Sequence, residues 1–92
     1  MKKTEKIVIT DYSDKPLILS REPWGEDYTL KPEEKFEISG EDCGDGFYYD
    51  VCCENDYIAV WADGGKADEY PGVYSAGVEL QCGYNRNLSP IK

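Results

Sequence analysis

Histidine is absent from this 92-residue chain. That removes the commonest general base, the usual member of a nucleophilic triad and the best neutral metal ligand. Bases are scarce too. Ten Lys and Arg stand against nineteen Asp and Glu, for a net charge of −9. Direct binding to nucleic acid or to an anionic membrane is unfavourable, because both need cations to neutralise phosphate. No apolar run approaches the roughly 18 residues of a membrane-spanning helix. The apolar stretch Ile7-Val8-Ile9 near the charged start is far shorter than the roughly 7–15 residues of a signal peptide, so a cytoplasmic location is expected. Helical periodicity is nearly missing, and Pro or Gly interrupts the chain every few residues.

What is present fits one small globular domain spanning residues 1–92. Hydrophobic residues make up 40% and charged residues 32%, and eight Tyr, two Trp and two Phe can build a core. Short β-branched and aromatic runs bounded by turn residues predict strands near 6–12, 17–21, 27–30, 35–39, 47–54, 57–62, 72–75 and 78–82. The expected fold class is all-β: a small antiparallel β-sandwich or partly open barrel of about eight short strands.

The middle hairpin is the most informative stretch. A two-residue turn at Asn55-Asp56 sets Glu54 against Tyr57, Cys53 against Ile58, Val51 against Val60 and Asp50 against Trp61. One side then reads Phe47, Tyr49, Val51, Cys53, Ile58 and Val60, the expected core. The other reads Tyr48, Asp50, Cys52, Glu54, Tyr57, Ala59 and Trp61. The two strands agree independently, as a correct register should. The same alternation assigns Ile7, Ile9, Val78, Leu80 and Cys82 to the core.

Charge is unevenly placed. Residues 22–69 hold fifteen acids and three bases, a net of −12, while both flanks are slightly positive. Cys43, Cys52, Cys53 and Cys82 lack the C-x₂₋₄-C spacing of a zinc site, and adjacent thiols on a strand point apart. Reduced thiols are expected, slow to react at Cys53 and Cys82 and faster at Cys52, with a mobile loop at Cys43 and residues 44–46. Aligning Gly46 with the sixth position of a calcium loop puts Cys52 where a bidentate Glu belongs, which fails. The serines show no activating partner, and among nineteen acids no pair singles itself out for glycoside chemistry.

Glu22-Pro23-Trp24-Gly25-Glu26, leading to Tyr28-Thr29-Leu30-Lys31-Pro32, carries a resemblance, supported by residues 58–65 and 80–86. The pattern resembles small bacterial all-β proteins with an E-P-W-G-E segment followed by Y-T-L-x-P. It implies a β fold and assigns no activity. The Pro23-Trp24-Gly25 segment itself reads as a kinked crossing, with Trp24 plugging one end of the core.

The expected function is a non-catalytic acidic protein-binding domain. It would inhibit a basic, nucleic-acid-binding protein in the manner of an immunity protein or a phage-type DNA mimic. The candidate partner-binding residues are Tyr48, Asp50, Glu54, Tyr57 and Trp61 on the hairpin, with Glu33 and Glu37 around Lys35. Glu54 and Asp56 have the i, i+2 spacing of about 6.6 Å that resembles neighbouring phosphates. The alternative is an accessory β-domain that binds a neutral partner through its aromatic face. Neither reading calls for a cofactor or a metal.

Overall fold

A computed structural model of the chain describes residues 4–66 and 71–88. Eight strands are present: β1 (Thr4–Thr10), β2 (Leu17–Glu22), β3 (Glu26–Leu30), β4 (Lys35–Glu41), β5 (Tyr48–Glu54), β6 (Tyr57–Asp63), β7 (Gly72–Ser75) and β8 (Val78–Glu79). A single 3-10 turn at Arg86–Leu88 follows among the described residues. The strands form two four-stranded sheets, ordered β1-β4-β7-β8 and β3-β2-β6-β5, packed as a sandwich rather than closed as a barrel.

Local chemistry explains the connections. The Asp11 carboxylate accepts the Ser13 N–H at 2.9 Å and its hydroxyl at 2.7 Å, an Asx turn that starts the link from β1 to β2. The Glu22–Pro23 peptide is cis, and Gly25 takes φ 69° to return the chain into β3. The β5–β6 register is the one expected from the sequence, from Glu54 facing Tyr57 to Asp50 facing Trp61.

Five of the six pairings among the described residues are antiparallel. The sixth corrects the expectation of a purely antiparallel sheet: β2 and β6 run parallel, with Leu19 beside Ile58 and Glu22 beside Trp61. These two strands belong to different hairpins. The chain crosses to the other sheet and back between them, which is the long connection that a parallel pair needs.

Ile9, Leu19, Tyr28, Leu30, Phe36, Ile38, Val60 and Val73 form the core, with Ile7, Tyr49, Ile58, Leu80 and Tyr84 packed against it. Each fully buried side chain of this kind contributes about 1.5–3 kcal/mol. Five residues expected in the core are not in it; one, Phe47, is half-buried outside the cluster and meets the Tyr49 ring edge-on, and the other four are exposed. Val51 and Cys53 lie on the core side of β5 yet are exposed, because β5 is an edge strand whose turn-proximal half extends past the cover of the facing sheet. Val78 is 65% exposed at the tip of the β7–β8 hairpin. Strand β8 stops at Glu79, so Cys82 falls in the segment beyond it and is exposed.

The loop between β4 and β5 is pinned where a mobile segment was expected. Cys43 is buried, its carbonyl accepts the Lys66 N–H at 2.7 Å, and the Phe47 N–H reaches Gly44. Gly65, at φ 57°, makes that approach possible, since a Cβ there would stand 2.0 Å from the Cys43 oxygen.

Candidate binding face

The outward side of the β5–β6 hairpin brings together five of the seven residues singled out in the sequence. Tyr48, Asp50, Glu54 and Trp61 are exposed and Tyr57 is half-buried. Strand pairing arranges them in rows. Asp50, Trp61 and Glu22 lie side by side across β5, β6 and β2. Tyr48 faces Asp63 in the next row, and Glu54 faces Tyr57 at the other end. Neighbouring strands are about 4.8 Å apart, so each exposed aromatic ring stands among carboxylates within reach of one partner segment.

Glu33 and Glu37 lie elsewhere. Glu33 is in the turn before β4, at φ 69°, and Glu37 is on the other sheet between Val8 and Tyr74. The phosphate-like spacing of Glu54 and Asp56 is also lost. Strand β5 ends at Glu54, and Asp56 sits in the turn, half-buried, its carbonyl accepting the Ile18 N–H at 2.9 Å.

The two outer faces differ in charge. The β1-β4-β7-β8 face mixes Lys6 and Lys35 with Glu37, Glu41 and Glu79. The β3-β2-β6-β5 face carries Glu22, Asp27, Asp50, Glu54 and Asp63. Among the described residues its balancing cation is Arg86, whose guanidinium holds Asp27 at 2.6 and 3.0 Å and keeps that carboxyl below its ordinary pKa. Among the described residues no Lys or Arg pairs with Asp50, Glu54 or Asp63. The Tyr48 hydroxyl donates to Asp63 at 3.1 Å, and that carboxylate raises the phenol's pKa.

Sequence reasoning missed Arg21, at the end of the sandwich beside this face. Arg21 is buried, donating to the Glu26 carboxylate and the Pro71 carbonyl. Its guanidinium lies 5.7 Å from the Trp24 ring centroid and 5.9 Å from that of Tyr28. The signal was available. Arg21 shares the parity of Leu17 and Leu19, so alternation aims it inward. The expected Trp24 plug is therefore an Arg21–Trp24 stack.

A cleft of about 340 Å³ opens nearby, between Pro23-Trp24 and residues 62–66, with Phe47 at its wall. Its carboxylate, Asp63, is already engaged through both oxygens, one to Tyr48 and one to the Gly64 N–H. No disulfide joins the four cysteines, and among the described residues no group of three or more potential ligands is placed to hold a metal ion. No helix among them is long and apolar enough to cross a membrane. No family model, curated protein or solved structure matches the chain.

Proposed function

We propose that this protein is a non-catalytic binding domain whose β5–β6 face docks on a basic protein and thereby inhibits it. The observation that carries the reading is the concentration of carboxylates with no cationic partner among the described residues, Asp50, Glu54 and Asp63, around the exposed rings of Tyr48 and Trp61. Depleted cations, anchoring aromatics and an acidic rim are the chemistry of an interface for a positively charged surface. A nucleic-acid-binding protein presents such a surface. The row spacing of phosphates is not reproduced, so the face competes by charge and by ring contacts rather than by copying a backbone.

Two variants that remove the same charge from different places test this. Asp50→Asn/Glu54→Gln neutralises the proposed face, and Glu33→Gln/Glu37→Gln neutralises the other side. Affinity is measured for the partner captured with the intact chain, at low and high salt. The first variant is expected to bind about tenfold more weakly at 0.1 M salt, with a flatter salt dependence, and the second within about twofold of the parent. Equal losses would mean that net charge alone acts and would overturn the assignment of the face.

A further inference from the structure

The sandwich has four strand edges, and they are not equally available. At β3 the edge is taken: the Gly83 N–H donates to the Asp27 carbonyl at 2.7 Å and the Thr29 N–H to the Tyr84 carbonyl at 2.9 Å. Strand β8 is only two residues long. Strand β1 carries Lys6, a residue of the kind that usually protects an edge. Strand β5 remains, seven residues long, and all but one of them exposed. Its pairing with β6 runs without a slip, so no bulge turns it away. It carries neither Pro nor Lys, the residues that usually protect such an edge.

The register says which backbone groups are available. Glu54 and Tyr57 flank a two-residue turn and form a hydrogen-bonded pair. Bonded pairs alternate along an antiparallel ladder, so Tyr48, Asp50, Cys52 and Glu54 bond to β6. Tyr49, Val51 and Cys53 then aim their N–H and C=O groups away from the sheet. Among the described residues no backbone group from outside the ladder reaches these three. The side chains on the same strand are sorted by chemistry. Asp50 and Glu54 stand on the outer side, and Val51, 39% exposed, and Cys53 on the side facing the core.

From this, and resting on the acidic-face reading above, we infer that β5 takes up an extended segment of the basic partner as a fifth strand of its sheet. The segment alternates Lys or Arg, which meet Asp50 and Glu54, with apolar residues that cover Val51 and Cys53. Backbone bonds supply affinity in this mode and the alternating side chains supply selectivity. A second copy of this chain is a poor occupant. It brings a net charge of −9 to the same edge, and a two-fold centred on Cys52 sets Asp50 against Glu54.

Synthetic peptides against the intact protein decide the matter. An eight-residue peptide alternating Lys and Val is compared with one of the same composition whose lysines are clustered. Two further versions are N-methylated on one or the other set of alternate amides. The alternating peptide is expected to bind about tenfold more tightly than the clustered one, and one methylated set should abolish binding while the other changes it less than about twofold. Amide exchange at Tyr49, Val51 and Cys53 should slow about tenfold on binding. Equal, salt-sensitive binding of alternating and clustered peptides would overturn the added strand and leave the acidic face standing. Failure of both peptides to bind also overturns it, and the amide variants then judge the face alone. A dimer of the protein by itself, with those three amides protected, would overturn it in favour of self-pairing.

Discussion

Arg21 shows how much one side chain can hold. A guanidinium in the sandwich end is tolerable because Glu26, the Pro71 carbonyl and two aromatic rings replace its water. Removing the carboxylate takes one partner from that charge while its other contacts stay. Glu26→Ala is therefore expected to lower unfolding free energy by about 3 kcal/mol, the low end for a broken buried pair because Glu26 is a third exposed. Urea denaturation of variant and parent checks it. The thiols give a second test at this scale. Cys43 is buried at 2% exposure, whereas Cys52, Cys53 and Cys82 are exposed. Brief alkylation of the native protein should add three labels by intact mass, with the fourth appearing only on denaturation. Fast labelling of all four would show that the Cys43 loop opens.

Among the elements, the segment that follows β8 matters beyond its length. It lies along the β3 edge, held by two backbone hydrogen bonds, by Asn85 donating to the Thr29 carbonyl at 3.2 Å and by the Arg86–Asp27 pair. Tyr84 meets the Phe36 ring edge-on, its centroid 5.7 Å away, which ties the segment to the core. The Asp27 carboxyl is held below its ordinary pKa, first by the hydrogen bond from Arg86 and then by its charge. A depressed folded pKa contributes stability above the unfolded value, about 4 for Asp, and loses it as pH falls through the folded value. Arg86→Gln is accordingly expected to be less stable than the parent near neutrality, with the gap closing below about pH 4. Thermal unfolding of both proteins from pH 7 to pH 2 measures this, and a constant gap would show that the pair does not carry the difference.

For the molecule as a whole, the joint between the sheets is the deciding feature. Tyr49 starts on one sheet and donates its hydroxyl to Glu5 at 2.8 Å on the other, with Ile38 at 3.4 Å. Burial, with the nearby Cys43 and Glu5 charges, pushes its pKa well above the ordinary tyrosine value. A raised folded pKa contributes stability below the unfolded value of about 10 and loses it as pH climbs beyond. Tyr49→Phe should cost about 1 kcal/mol at neutral pH, because the hydroxyl's hydrogen bond to the Glu5 carbonyl is lost. That cost should shrink above about pH 10, where the parent alone pays to keep the phenol protonated. Denaturant curves at pH 7 and pH 11 compare the two.

How much of this could be read beforehand follows from what strand patterning encodes. Alternation and turn residues depend on near neighbours, so the strand positions, the Asn55-Asp56 turn, the β5–β6 register and the grouping of Tyr48, Asp50, Glu54, Tyr57 and Trp61 on one side were all legible. Alternation assigns a side to each residue; it does not say whether anything covers that side. Val51, Cys53 and Val78 have core parity and are exposed, while Ile18, on the outward side, is buried. The parallel docking of β2 on β6 joins two hairpins distant in sequence, and no local pattern specifies it. That docking sets Glu22 beside Trp61 and leaves β5 at the edge. The sequence by itself determined the strands and their faces. Only the packing of the sheets decided which edge stayed open, because cover depends on long-range contacts that a period of two residues cannot encode.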